Sequence, residues 1–337
     1  MAGYVAILAS SIIIGLFTSQ GFCLGPISRG VIVADAFTPM KSLELKSILV
    51  ATDLTEAADR ALEHGIAIAR HYQATLYVVY VVSSLGFTLA GPDAVELAAE
   101  ASQRDINSLV NKLVDSGKLN GVEVRPVVLK GNLDEQIEFF ARANRVDLIV
   151  VGTHGRCGIA RLFFGSVAEL ISKCCRCPVL TVGPHSSGPW LDNPADSRRP
   201  LLFATAFNKA SEKAFPYAIS LANDFERPLF VVHVIPPPDT HLLKKNCMAH
   251  GDHKALALAH LNALIPSDAD RKYTATLLVE SCDPADGILR AAKRIHAATI
   301  IMGAHRDSIP DLATRLPGTI TNHVNRETRC PVLTARG

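Results

Sequence analysis

The chain contains few aromatic residues and almost no net charge. Tryptophan occurs once in 337 residues, aromatic side chains make up 6%, and 34 basic residues are balanced by 32 acidic ones. A nearly neutral chain has no extended positive field to attract nucleic acid, and few rings are available to stack on bases. These shortages argue against a nucleic-acid partner. The length and the hydrophobic fraction of 48% predict two globular domains rather than a disordered chain.

Eight cysteines are present, but they lack the pattern of a small disulfide-linked protein or of a zinc site. They are scattered along a long chain, which is typical of reduced thiols in a cytoplasmic protein. Cys174, Cys175 and Cys177 form a cluster, and no second Cys-x-x-Cys pair is present to complete a zinc site. The spacing favours free thiols over a zinc site and predicts a chain without metal ligands.

Charged side chains are absent before Arg29, and residues 4–17 are mostly apolar. Three interpretations stay open. A signal peptide normally has basic residues ahead of its apolar run, and none is present here. A membrane anchor needs about 20 apolar residues, which this run reaches only by including the polar residues 18–20. The third interpretation is an upstream extension that is not natively translated, with the compact part beginning near Met40. We expect residues 1–39 to add nothing to the fold.

The chain repeats itself once, at an offset of about 153 residues. The matched segments are residues 47–54 with 200–207, 76–82 with 229–235, 147–155 with 298–306, and 176–182 with 329–335. The third pair has an offset smaller by two residues. The second copy is therefore two residues shorter before this segment and two residues longer in the loop that follows it. We predict four parts: an N-terminal extension over 1–45, a first domain over 46–184, a polar linker over 185–198 and a second domain over 199–337.

Strands and helices alternate in each predicted domain. In the first copy, short runs rich in Val, Ile and Leu predict strands at 47–51, 76–82, 123–129, 147–151 and 178–182. Apolar positions at helical spacing predict helices at 57–71, 93–116 and 133–144, and a fourth helix after Gly165. This alternation predicts an α/β fold of two tandem, doubly wound, five-stranded parallel sheets of the Rossmann-like kind.

The residues with the most suggestive chemistry follow two strands of the first copy. Asp53 closes the first strand, and Gly152 and Gly155 follow the fourth. After nine further residues, Gly165 and Ser166 open a helix. Open parallel sheets bind ligands beyond the carboxyl ends of their strands. Glycine lets the backbone approach a phosphate, and a helix N-terminus offers free N–H groups to anions. The pattern therefore predicts a phosphate-binding site.

Each of these residues also has a plainer interpretation. Two glycines after a strand often form only a tight turn, and Asp53 alone would most often cap the helix that begins nearby. His154 is more often a surface loop residue than a catalytic one. The combined spacing of the four loop positions, together with Asp53, favours phosphate binding over these interpretations.

This combination resembles the universal stress protein family, whose nucleotide-binding members carry G-x-x-G, nine residues, and then G-[S/T]. Gly152, Gly155, Gly165 and Ser166 match that motif without gaps, and the resemblance covers residues 46–337 as two copies. It implies an ATP site in the first domain, with Mg²⁺ or Mn²⁺ accompanying the triphosphate.

The resemblance implies that residues at the strand ends and in the loop after the fourth strand hold the nucleotide. Those at the adenosine half are Asp53 and Val81, those beside the ribose and phosphates are Val151 and Gly152, and those holding the phosphates are Gly155, Gly165, Ser166 and Val167. Ala51 stands where some ATP-binding relatives carry proline, which is a mild departure.

The second copy departs further from the motif. Ala206 replaces the aspartate, and Arg306 replaces the second glycine with a bulky side chain where the backbone needs close approach. The loop after Arg306 is two residues longer, although Gly303, Gly318 and Thr319 are kept. We predict that the second domain is degenerate for ATP, which gives one nucleotide per chain.

Residues and resemblance together predict a cytoplasmic stress-response protein that binds ATP in its first domain and acts through unidentified protein partners. Two alternatives stay open: an enzyme that hydrolyses ATP or transfers nucleotidyl groups, and a dimeric module that binds no nucleotide. The chain has no Walker lysine motif and no nucleophile elbow, so no catalytic residue is assigned. If the N-terminal run is an anchor, the alternative location is a membrane, with the domains facing the cytoplasm.

Both copies end in nearly the same segment, residues 177–182 and 330–335. An apolar strand at a sheet edge exposes unpaired N–H and C=O groups, which invite pairing with another edge. Members of the family that this chain resembles usually dimerise through that strand. We therefore predict that the two copies pair inside one chain, which is then a monomer or a homodimer of such units.

Overall fold

The predicted strands of the first copy are confirmed to within one residue. The computed structural model describes residues 43–83, 92–153, 168, 171, 175–184, 186, 188–189, 199–237, 250–265, 271–304 and 320–336. The first copy contributes β1 (Ser47–Ala51), β2 (Thr75–Val82), β3 (Val124–Lys130), β4 (Leu148–Gly152) and β5 (Val179–Val182). The second copy contributes β6 (Leu201–Thr205), β7 (Leu229–Ile235), β8 (Ala275–Ser281), β9 (Thr299–Ala304) and β10 (Val332–Arg336).

Helices connect these strands, and their starts are set by polar caps. The described helices are α1 (Glu56–Tyr72), α2 (Pro92–Asp115), α3 (Leu133–Ala143), α4 (Lys209–Asp224), α5 (His250–Leu264), α6 (Pro284–Arg294) and α7 (Ile320–Glu327). The side chains of Thr55, Asn208 and Asp283 accept backbone N–H bonds at the starts of α1, α4 and α6. The three helices predicted at 57–71, 93–116 and 133–144 are confirmed. The fourth, after Gly165, lies largely outside the described residues.

All ten strands form one sheet in the order β3-β2-β1-β4-β5-β10-β9-β6-β7-β8. Neighbouring strands within each copy run parallel. In each copy the second and third strands lie on one side of the first strand, and the fourth and fifth strands lie on its other side. The direction of winding therefore reverses between β1 and β4, and again between β6 and β9. The predicted pair of doubly wound, five-stranded α/β domains is confirmed.

The two copies join through their last strands. β5 and β10 run antiparallel, with Leu180 opposite Leu333, Val179 opposite Thr334 and Thr181 opposite Val332. Leu180 and Leu333 are equivalent positions of the repeat, so a pseudo-twofold axis passes between them. The predicted pairing of the two copies within one chain is present in the structure, and it covers the edge that each last strand would otherwise expose.

Equivalent side chains build the core of each copy. In the first copy a cluster of fully buried residues includes Leu49, Ile137, Ile149 and Ile171. In the second copy the corresponding cluster includes Leu202, Ile288, Ile300 and Val324. Strands covered by helices on both faces need apolar residues at successive positions, which explains the nearly unbroken Ile, Leu and Val runs.

The repeat extends to unusual backbone conformations. Non-glycine residues with positive φ occur in equivalent pairs: Leu54 (φ 62) with Phe207 (φ 52), Gln73 (φ 54) with Glu226 (φ 49), and Arg145 (φ 49) with His296 (φ 52). Residues other than glycine rarely adopt this left-handed backbone conformation. Its recurrence at matching turns shows that the two copies share their turns as well as their strands.

The start of the predicted linker packs against the protein. Ser186 is buried, and its hydroxyl accepts a hydrogen bond from the N–H of Gly183 (3.1 Å). Among the described residues, no helix combines the length and the apolar character needed to cross a membrane. The apolar run at 4–17, interpreted above as a possible anchor, lies outside those residues.

Candidate functional site

Short-range hydrogen bonds hold the chain where it leaves β1. The N–H of Thr52 donates to the carbonyl of Val79 (2.9 Å), so strand pairing continues one residue beyond β1. Oδ1 of Asp53 accepts from both the backbone N–H (3.1 Å) and the hydroxyl (2.5 Å) of Thr55. Leu54 lies between them in the left-handed conformation. These bonds fix the direction of the Asp53 carboxylate at the carboxyl edge of the sheet.

Asp53 does not cap α1. The N-cap is Thr55, whose Oγ1 accepts from the N–H of Ala58 (3.4 Å). Asp53 acts on the cap only indirectly, because it orients the Thr55 hydroxyl. The helix-cap interpretation of Asp53 is therefore wrong, and the second copy, with alanine at this position, caps its equivalent helix without a carboxylate.

The predicted site residues that the structure describes lie at one edge of the sheet. Ala51 pairs with Val151 across β1 and β4, and Gly152 ends β4. Asp53 follows β1, and Val81 lies near the end of the adjacent strand β2. These positions surround the carboxyl ends of β1 and β4, where the direction of winding reverses and open α/β sheets bind ligands. The other predicted residues, Gly155, Gly165, Ser166 and Val167, lie outside the described residues.

Burial limits how two of these residues can act. The side chains of Ala51 and Val151 are 8% and 1% exposed and belong to the core cluster of the first copy. They could meet a ligand only through their backbone atoms. Asp53 and Val81 are half-buried, so their side chains can contribute to a site at the edge.

A glycine kept in both copies has a packing role in the second. A Cβ placed on Gly303 would lie 2.2 Å from the backbone carbon of Ala210 and 2.5 Å from the backbone nitrogen of Ser211. The first turn of α4 therefore passes directly over the end of β9, and only glycine leaves room for it. Gly152 is the equivalent residue of the first copy. Gly303 thus has a structural reason that the sequence alone did not reveal.

The second copy carries a ring cluster at the same edge. The rings of Phe207 and His233 lie 4.4 Å apart, and His260 approaches Phe207 edge-on at 5.5 Å. His233 Nδ1 lies 2.9 Å from the carbonyl oxygen of Thr205, which can only accept, so Nδ1 carries the proton. Sequence reasoning missed this cluster. The available signal was that Ala206 replaces the aspartate and is followed by an aromatic residue, Phe207.

The ring cluster lowers the pKa of His233 below the ordinary value of 6.5, chiefly because burial disfavours the charged form. The bond to Thr205 acts in the opposite direction, and the neighbouring His260 lowers the pKa further. As the pH falls below 6.5, the unfolded chain therefore binds the proton before the folded chain does. The stability contributed by neutral His233 is present above this pH and is lost as the pH falls towards the folded-state pKa.

We expect His233→Asn to reduce the loss of thermal stability between pH 7 and pH 5. Asparagine keeps an N–H donor for Thr205 but has no proton to gain. Melting curves at several pH values measure the slope, and His296→Asn, at an exposed turn that tolerates asparagine, is the matched control. An unchanged slope in His233→Asn would show that His233 does not titrate as its surroundings indicate.

No three His, Cys, Asp or Glu side chains converge as metal ligands within the part of the chain that the structure describes. Of the cysteine cluster noted above, Cys175 is buried and Cys177 is half-buried. Cys174 lies outside the described residues.

The structure thus defines a tandem protein of the doubly wound α/β class. The model of the universal stress protein family matches residues 44–183 and 197–336. The chain belongs to the universal stress protein family, as its motif predicted.

Individual relatives match one copy or most of the chain. A universal stress protein of Methanocaldococcus jannaschii is 34% identical over 138 residues, covering 41% of this chain and 81% of that protein. Universal stress protein A homolog 2 of Coxiella burnetii is 32% identical over 144 residues, covering 41% and 94%. A solved universal stress protein structure from Archaeoglobus fulgidus covers 86% of this chain and 96% of its own, with a TM-score of 0.64 at 18% identity. That last likeness shows a shared fold.

Proposed function

We propose that the first domain binds ATP and that the chain serves a stress response through this site. The observation that carries the proposal is the meeting of Asp53 and the end of β4 at the point where the winding of the sheet reverses. This happens in the copy whose next loop matches the nucleotide motif of the family. Asp53 is held in direction by Thr55, so its carboxylate is ready to accept hydrogen bonds from adenosine.

The chemistry of the first domain suits a triphosphate. The motif glycines Gly155 and Gly165 have no side chain to keep a phosphate from the backbone, and Arg156 and Arg161 add positive charge to the same stretch of sequence. Mg²⁺ or Mn²⁺ would neutralise part of the phosphate charge. Mg²⁺ usually keeps several of its waters, so we expect phosphate oxygens and water together to supply much of its coordination.

The second domain is unsuited to the same ligand. Ala206 offers no carboxylate, and Phe207 stacks on His233 at the edge that corresponds to the adenosine half. Arg306 adds a bulky side chain within the loop. These three differences support a single ATP site in each chain.

We expect isothermal titration calorimetry to give one ATP per chain. Asp53→Ala, which copies the second domain, should weaken binding by about tenfold to a hundredfold, because a hydrogen bond to a charged group contributes about 1.5–3 kcal/mol. Asp115→Ala removes an exposed carboxylate at the end of α2 and is the control. Two ATP per chain, or unchanged affinity in Asp53→Ala, would contradict the proposed site.

A further inference from the structure

A second contact between the copies lies at the ends of two helices. The hydroxyl of Tyr72, the last residue of α1, donates to Oδ2 of Asp224, the last residue of α4 (2.7 Å). The ring of Phe225 lies 4.0 Å from that of His71 and meets Tyr72 edge-on at 6.1 Å. These four residues, His71, Tyr72, Asp224 and Phe225, are called the junction cluster below.

The junction cluster straddles the pseudo-twofold axis of the chain. His71 and Asp224 are equivalent positions of the repeat, and so are Tyr72 and Phe225. Tyr72 contacts Asp224, and their equivalents Phe225 and His71 contact each other. Residues beside a twofold axis make matching contacts of this kind. The same axis passes between Leu180 and Leu333 in the paired strands. The junction cluster is therefore a nearly symmetric contact whose two sides carry different side chains.

The differences between the two sides are chemically complementary. Burial and the hydrogen bond to Asp224 raise the pKa of Tyr72 well above its usual range, so the hydroxyl keeps its proton and remains a donor. Burial lowers the pKa of His71, although Asp224 opposes the change. The imidazole is therefore mostly neutral near pH 7 and stacks on Phe225. The first domain supplies the Tyr72 hydroxyl as donor and the His71 ring. The second domain supplies the Asp224 carboxylate as acceptor and the Phe225 ring.

The position of Asp224 has a cost that the contact offsets. A carboxylate at a helix C-terminus faces the negative end of the helix dipole, and α4 has no basic residue in its last turn. The last turn of α1 instead carries Arg70 and His71, which suit a helix C-terminus. Alone, Asp224 is disfavoured where it lies, whereas beside Tyr72 its carboxylate accepts from a partly buried hydroxyl donor.

Like sides would fit one another poorly. If both sides were Asp and Phe, each carboxylate would lie against a phenylalanine ring, with a second carboxylate nearby and no donor for either. If both sides were His and Tyr, each tyrosine hydroxyl would meet an imidazole nitrogen, which is a weaker acceptor than a charged carboxylate. We propose that the junction cluster makes the contact specific for unlike domains, so that the His–Tyr side of one domain selects the Asp–Phe side of the other.

Exchanging residues across the axis tests this proposal in the full chain. His71→Asp with Tyr72→Phe makes both sides Asp–Phe, and we expect its melting temperature to fall by at least about 2 °C. Adding Asp224→His and Phe225→Tyr restores unlike sides in the reverse arrangement. This fourfold exchange should recover most of the lost melting temperature, because Tyr and Asp again meet across the axis.

Two outcomes would overturn the proposal. One is a double variant as stable as the parent chain, and the other is a fourfold exchange no more stable than the double variant. If the double variant does not fold, Tyr72→Phe alone removes the donor with little change in shape. Tyr80→Phe removes a hydroxyl from a half-buried tyrosine on β2 and is its matched control. Equal melting temperatures for these two single variants would also contradict the proposal.

Discussion

Gly303→Ala is expected to destabilise the chain by at least about 2 kcal/mol. The added Cβ would lie 2.2 Å from the carbon and 2.3 Å from the oxygen of the Ala210 carbonyl. These atoms belong to the backbone of the first turn of α4, so no side-chain rotation relieves the overlap. The helix must move away from β9, which loosens the packing above a central strand of the second domain. Urea unfolding of the full chain measures the change.

Gly188→Ala is the matched control for this substitution. Gly188 is exposed, and a Cβ added there meets no atom within 4 Å. Its effect should stay within about 0.5 kcal/mol. If Gly303→Ala is no more destabilising than Gly188→Ala, α4 can shift freely on β9 and the packing explanation of the kept glycine is wrong.

The fold could be predicted from the sequence because burial on both faces imposes continuous apolar runs. Residues 48–50, Ile-Leu-Val, and their counterparts at 201–203 are fully buried, and such runs are conspicuous in any sequence. The pairing of β5 with β10 was predicted from two similar apolar strands at the ends of the copies, and the structure adds that they run antiparallel. The junction cluster could not be predicted, because it depends on which helix ends meet at the axis.

The candidate site was less accessible to sequence reasoning. Asp53 was correctly placed at a strand end, but its partner Thr55 takes over the cap, and only the structure distinguishes these roles. Gly303 was interpreted as a remnant of a phosphate motif, whereas the close approach of α4 accounts for it. The glycine at this position of the second copy is therefore explained by packing and is not by itself a sign of phosphate binding there.

Gly155→Arg is expected to weaken ATP binding at least a hundredfold, or about 2.7 kcal/mol, without unfolding the chain. The substitution copies Arg306, which the second copy carries at the same motif position. A Cβ and a long side chain at a glycine that the motif reserves for phosphate would block the approach of the backbone, which the added positive charge cannot replace. Calorimetry with Mg·ATP measures the loss.

Two variants separate this effect from a change in charge or in the second domain. Gly188→Arg adds the same side chain at an exposed site and should bind ATP as the parent does. Arg306→Gly restores the motif glycine in the second copy, yet it should not create a second site, because Ala206 and the Phe207–His233 stack remain. If Gly155→Arg still binds ATP as the parent does, the loop after β4 is not part of the ATP site. If Arg306→Gly binds a second equivalent of ATP, this one loop residue decides which domain binds ATP, and the other differences at the strand ends do not.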